Sequence, residues 1–324
     1  MWKKGLVALA AIGLASTVAA KDYREQSDVQ AFIDELVSRH SLDRDYLSAT
    51  MGEAKYQQSI IDAISRPAEK RLAWYEYRRI FMDSKRINNG KAFLQKHAAT
   101  FDRAEKEYGV SRYVVAAIIG VETRYGTYTG KYRVLDALAT LGFDYEPRAK
   151  FFRGQLEELF LLAKEQNFDV TELLGSYAGA MGYGQFIPSS YRHYAVDFDG
   201  DHIVDILNNP VDAIGSVANY LAEHGWQRGA PIVVPAVVSA DLDESILNDS
   251  LTPKRTVAEL AELGFSHEAK DVSDDMQATA VRLRVKNGEE YWLGLKNFYA
   301  ITRYNRSRLY AMAVYQLSRE LGGQ

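Results

Sequence analysis

Glu122 closes an apolar run, Val114–Glu122 (VVAAIIGVE), and is followed at once by Thr123-Arg124-Tyr125-Gly126-Thr127-Tyr128-Thr129-Gly130. On a helix, Val115, Ile118, Ile119 and Glu122 fall at i, i+3, i+4 and i+7, so one face is apolar until its last member. A carboxyl held against Val and Ile is poorly hydrated, its charged form is disfavoured, and the spacing predicts a raised pKa. An acid that keeps its proton near neutral pH can protonate a leaving oxygen. A Glu at a helix end that rotates into solvent is the plainer reading of the same position.

Gly179–Phe186 (GAMGYGQF) places three glycines in eight residues, a spacing that lets backbone approach a ligand. The order is GxxGxG with no Gly-Lys-Ser/Thr after it, which excludes a nucleotide loop. Gln185, beside Phe186, offers an amide for orienting a sugar substituent; a tight structural turn is the other reading. The chain carries 21 tyrosines, and Tyr125, Tyr128, Tyr177, Tyr183, Tyr220, Tyr304 and Tyr310 lie near glycine turns or polar helix faces. Tyrosine joins a rigid apolar face to a hydroxyl, which suits pyranose rings, although most tyrosines simply fill half-buried core. Asp197, Asp199, Asp201 and Asp205 stand at positions 1, 3, 5 and 9 of an EF-hand-like loop over 197–208, with the Ile203 carbonyl at position 7. His202 stands where Gly is expected and Asn208 where a bidentate carboxylate is expected, so a solvated acidic turn competes with a calcium site. The six histidines lack HExxH spacing and there is no GxSxG elbow.

These residues need helices to hold them. Apolar periodicity predicts helices near 27–37, 54–65, 67–83, 91–107, 111–122, 134–141, 147–166, 210–221 and 298–321. Asn88-Asn89-Gly90 reads as a turn. From 230 the texture changes: Pro231–Val238 is β-branched, Ala278–Val285 alternates, and Asn287-Gly288 signals a hairpin into Tyr291–Leu295. The expected class is mainly α, with a small β-containing insert at 230–296 carrying a short helix at Val257–Leu263.

Lys3 and Lys4, the apolar Gly5–Leu14 run and small residues up to Ala20 predict a cleaved secretory signal over residues 1–20. The chain has no cysteine, which excludes a lipid-modified N-terminal cysteine and fits an exported protein that relies on its core. A net charge of −4 without Lys/Arg blocks argues against a nucleic-acid surface.

GVETRYGTYTG, SYAGAMGYGQFIPSSY, DAIGSVANYLAEHGW and NFYAITRYNRSRLYAMAV resemble, in order, the motifs of the membrane-bound lytic murein transglycosylase B family. The resemblance implies a lysozyme-like core over 96–229, an additional α-helical domain over 21–95, the insert over 230–296, and a C-terminal helical segment over 297–324 that packs back. It implies cleavage of the MurNAc–GlcNAc β-1,4 bond of peptidoglycan with formation of 1,6-anhydromuramic acid, Glu122 being the single acid and base. Arg148, Ser176, Gln185, Tyr220, Tyr304, Asn305 and Tyr310 match residues lining the family's glycan groove. A calcium loop occurs in the family at the place of Asp197–Asn208, and no cofactor is required for the chemistry. The family prototype is anchored through a lipidated cysteine; this chain is instead expected to be soluble in the periplasm after cleavage near Ala20. The expected partners are glycan strands, with cell-wall synthesis or division proteins, and the expected state is a monomer. A hydrolytic muramidase of goose-type lysozyme character and a non-catalytic peptidoglycan-binding scaffold are the competing readings.

Overall fold

The computed structural model describes residues 22–66 and 72–323. The signal-segment reading, and the first residues of the stretch read as helix from 67, lie outside the described residues.

Arg112–Thr123 is the axis of the molecule. Its residues Val114 to Ile119 are at most 2% exposed, so this helix is apolar on every side and must be enclosed. The helices Ser84–Lys96, Pro210–Glu223 and Arg308–Glu320 enclose it. Ala98–Tyr108 precedes it and ends at Gly109, whose φ of 73° ends the helix in the left-handed conformation. Val134–Phe143 and Ala149–Gln166 pack on each other as a second layer. The N-terminal helix Ser27–His40 buries Val29, Phe32, Ile33 and Leu36 at helical spacing. Just before that helix, the Tyr23 hydroxyl donates to Asp144 Oδ2 at 2.6 Å, tying this segment to the second layer.

Two short strands, β1 (Tyr132–Arg133) and β2 (Leu174–Gly175), pair antiparallel beside the glycine-rich loop. Five more, β3 (Val233–Val238), β4 (Arg255–Thr256), β5 (Phe265–His267), β6 (Gln277–Val285) and β7 (Gly288–Gly294), form one antiparallel sheet in the order β4-β6-β7-β3-β5. Period-2 alternation explains its attachment. Ala278 and Ala280 of β6 face a small separate core with Leu260, Phe265 and Leu293, whereas Val281 and Leu283 join the main helical core. One sheet thus carries its own core on one face and seals the helical body with the other.

Several elements differ from the sequence expectation. Asn88-Asn89-Gly90 lies inside Ser84–Lys96 rather than in a turn. Gly90 is there for space: a Cβ at that position would come within 2.2 Å of the Tyr125 hydroxyl oxygen. The expected 91–107 helix is two helices meeting at His97. The expected 54–65 helix is confined to Gln58–Ile64, and within 72–83 only Trp74–Arg79 is helical. The expected 298–321 helix is broken into Lys296–Tyr304 and Arg308–Glu320. Asn305 is extended (φ −139°, ψ 124°), and the Ser307 hydroxyl accepts from Tyr310 N to start the second helix.

Candidate active site

Glu122 sits in the last turn of the axial helix, half-buried, where the chain leaves helical geometry. Arg124 and Tyr125 both adopt left-handed conformations, with φ of 51° and 61°. Thr123 holds this bend: its hydroxyl donates to Tyr183 O at 2.9 Å and accepts from Gly126 N at 2.9 Å. The catalytic candidate is therefore fixed from behind by backbone contacts to the glycine-rich loop.

From the front, Tyr310 reaches it. The Tyr310 hydroxyl donates to Glu122 Oε1 at 2.6 Å, and Tyr310 is only 2% exposed. The Tyr304 ring stacks parallel to it at 6.5 Å, and the Tyr304 hydroxyl donates to Gly184 O at 2.6 Å. Tyr220 meets Tyr304 edge-on at 4.7 Å and donates to Arg303 O at 2.6 Å. Burial pushes the Tyr310 and Tyr304 hydroxyls well above the ordinary range, and the charge of Glu122 adds to it. Both stay protonated donors, so the group facing Glu122 gives a hydrogen bond and takes none of the negative charge.

The glycine-rich loop closes the other side. Met181 and Phe186 exchange backbone hydrogen bonds of 2.9 Å, making a narrow antiparallel loop. Gly182 (φ 70°) is needed at its tip, because a Cβ there would meet Ile206 O at 2.3 Å. Gln185 adopts φ 52° without being glycine, and its Nε2 donates to Gly182 O and Thr129 O, both at 3.0 Å. That amide clamps the segment after Glu122 to the loop. Ser176 is likewise committed to the chain: its hydroxyl accepts from Ala178 N at 3.3 Å and Ala180 N at 3.1 Å.

A cleft of about 800 Å³ opens beside this cluster, between the helical body and the β insert. Arg148 and Asn305 line it, as do Trp74, Tyr177 and Leu309, the last being the neighbour of Tyr310. Arg148 is exposed and its guanidinium lies over Phe151 and Phe152 at 4.5 and 4.9 Å. The sequence-derived residues therefore fall into three places. Glu122, Tyr220, Tyr304 and Tyr310 form one cluster, Arg148 and Asn305 line the cleft, and Ser176 and Gln185 shape the loop between. Trp74 escaped the sequence reading because its apolar surroundings mark only core; its place on the cleft wall depends on the fold of the insert.

The acidic loop gathers a different set of acids from the one its spacing gave. Oxygens of Asp197, Asp199 and Asp212 lie within 4.8 Å of one another. Asp212, outside the 197–208 window, is fully buried and accepts from Phe198 N at 2.7 Å and Asp205 N at 2.8 Å. Burial pushes its carboxyl up against those two hydrogen bonds, with the charges of Asp199 and Asp197 adding to the rise. Asp205 instead accepts from Leu207 N and Asn208 N, both at 2.9 Å, while Asp201 accepts from Ile203 N at 2.8 Å. His202, at the position where glycine was expected, takes the left-handed conformation itself (φ 71°). An all-oxygen set of this kind fits a hard divalent cation, with Asp212 in the closing place that Asn208 does not fill.

In this mainly helical body the axial helix ends at one glutamate held by stacked tyrosines, an arrangement suited to acid catalysis on glycans, and the comparisons agree. Residues 24–319 match the transglycosylase SLT domain family, and the chain belongs to it. Over 305 residues it is 42% identical to the membrane-bound lytic murein transglycosylase B of Escherichia coli, spanning 91% of this chain and 83% of that protein. Its structure resembles the catenated lytic transglycosylase SltB1 of Pseudomonas aeruginosa, with TM-score 0.89 and 50% identity over 93% of this chain and 98% of that one. It also resembles the Escherichia coli lytic transglycosylase Slt35 in complex with calcium, with TM-score 0.84 and 42% identity over 93% and 95% of the two chains. The fold is thus lysozyme-like, as expected from the motifs, and the chain is a lytic transglycosylase. No helix among the described residues is long and apolar enough to cross a membrane.

Proposed function

We propose that this enzyme cleaves the MurNAc–GlcNAc β-1,4 bond of peptidoglycan without water, with Glu122 as its single acid and base. The observation that carries the role of Glu122 is its hydrogen bond from Tyr310 beside the cleft. A protonated Glu122 donates to the glycosidic oxygen as the C1–O bond breaks, and the N-acetyl oxygen of the substrate supports the positive charge at C1. The carboxylate then takes the proton of the C6 hydroxyl as that oxygen closes onto C1, leaving a 1,6-anhydro end and restoring the acid. Two-carboxylate glycosidases need a second acid near the bond. The residue that hydrogen-bonds Glu122 from the front is a tyrosine rather than a second carboxylate, which fits the single-acid route.

Tyr310 sets the plane of the carboxyl, Tyr304 and Tyr220 hold Tyr310 from behind, and Gln185 fixes the loop that borders the site. Arg148 and Asn305 contact the strand along the cleft. Asp197, Asp199 and Asp212 would hold a calcium ion, which would stiffen the segment between the glycine-rich loop and the helix Pro210–Glu223. We place the mature protein in the periplasm as a soluble monomer. Glu122→Gln, which keeps shape but removes the transferable proton, is expected to lower turnover of purified peptidoglycan by about 10³-fold or more with an unchanged melting temperature. A variant that still releases fragments at the wild-type rate would take Glu122 out of the reaction.

A further inference from the structure

Four buried side-chain atoms among the described residues have no hydrogen-bond partner in the protein: Gln26 Nε2, Asp83 Oδ2, Arg86 Nε and the Tyr125 hydroxyl. Buried polar atoms are nearly always paired, directly or through water, so three such atoms in one place need a cause. The last three gather where Ser84–Lys96 crosses the axial helix. The Tyr125 ring is a peg between the two: a Cβ on Gly90 would come within 2.2 Å of its hydroxyl oxygen, and one on Gly120 within 2.5 Å. Arg86 stands one turn before Gly90, on the same face of its helix. It is 4% exposed, and its Nη1 donates to Ile80 O at 3.0 Å while Nε is left over. Asp83 caps the helix: its Oδ1 accepts from Arg86 N at 2.9 Å, whereas Oδ2 faces Arg124 Nη2 at 3.9 Å, beyond hydrogen-bond reach. Burial keeps the Tyr125 hydroxyl protonated, and the charges of Arg86 and Asp83 both act on it.

These atoms sit behind the bend that follows Glu122. Arg124 and Tyr125 are left-handed without being glycine, a conformation that strains an L residue and persists only where its surroundings hold it. Resting on the role of Glu122 proposed above, we infer that one internal water bridges Arg86 Nε, Asp83 Oδ2 and the Tyr125 hydroxyl, and that Arg86 is thereby a positioning residue for Glu122. The hydrogen bonds balance: the water accepts from Arg86 Nε–H, donates to Asp83 Oδ2, and has one more donor and one more acceptor position for the tyrosine hydroxyl. The carboxylate oxygen argues against an anion in this place, and the guanidinium argues against a cation. Through the water, the first turn of Ser84–Lys96 grips the tip of Tyr125, and Tyr125 holds the strained turn that carries the acid.

Three measurements on the mature protein test this. A high-resolution crystal structure is expected to show one ordered water within hydrogen-bond reach of all three atoms; a dry cluster would overturn the solvent site. Tyr125→Phe is expected to lower the melting temperature by on the order of 2 °C, because it leaves the water and its partners short of a bond. A raised melting temperature would mean that the hydroxyl was unpaired, and would also overturn the site. Arg86→Met, assayed far below its unfolding transition, is expected to lower kcat for fragment release about tenfold with KM within about twofold, the pattern of a displaced acid. Arg86→Lys, which keeps a charged donor, is expected to recover most of that loss. A kcat unchanged in Arg86→Met, or lost equally in both variants, would end the positioning role and leave Arg86 as packing. Release of fragments with reducing ends would overturn the reaction proposed above, yet not this inference, since neither the bound water nor the kcat ratios depend on which acceptor closes the reaction.

Discussion

Glu122 and Tyr310 are 188 residues apart and 2.6 Å apart in space. Removing the hydroxyl leaves the ring packing in place, so Tyr310→Phe is a narrow test of that bond. It is expected to lower kcat by roughly 10- to 100-fold, the worth of a hydrogen bond to a charged group, with little change in KM. A kcat within twofold of wild type would leave Tyr310 as packing alone. At this scale Glu122 was legible because its apolar face runs from Val115 through Ile119 and stops at an acid. Its partner was not: nothing local to Tyr310 separates it from the other tyrosines, and only the resemblance of the surrounding motif singled it out. Asp212 was missed because a loop counted from Asp197 ends at 208, while this acid stands four residues further on, in the first turn of the helix Pro210–Glu223.

Helices and loops carry the next set of consequences. Gly90 was misread as a turn because the Asn-Asn-Gly signal is local, whereas its cause is the crossing of Ser84–Lys96 beneath Tyr125. Gly90→Ala is expected to destabilise the fold by about 1–3 kcal/mol, read as a lower melting temperature, since the helical propensity gained by Ala is smaller than the clash. A melting temperature at or above wild type would show that Tyr125 moves aside freely. The break at Asn305–Ser307 has no Gly or Pro to announce it, yet it separates Tyr304 from Tyr310 and lets both rings face the site. For the acidic loop, added calcium is expected to raise the melting temperature by mass action, and Asp212→Asn to abolish that rise. An equal rise in the variant would move the ion away from Asp212. The hairpin at Asn287-Gly288 and the strands around it were legible, because turn chemistry and period-2 alternation are written in adjacent residues.

The whole molecule is three packed parts around one opening. The helical body supplies Glu122 and Arg148, the β insert supplies Arg282 and Arg284, and the broken C-terminal helix pair supplies Tyr304, Asn305 and Tyr310. That convergence is a property of tertiary packing, so the sequence exposed the parts and their order but left the cleft between them invisible. The measurement that bears most directly on the account is mass spectrometry of fragments released from purified peptidoglycan. Fragments with 1,6-anhydro ends, lighter by one water than hydrolysis products and lacking a reducing end, are the predicted result, lost in Glu122→Gln. Fragments with reducing ends would contradict it and make water, rather than the C6 hydroxyl, the acceptor.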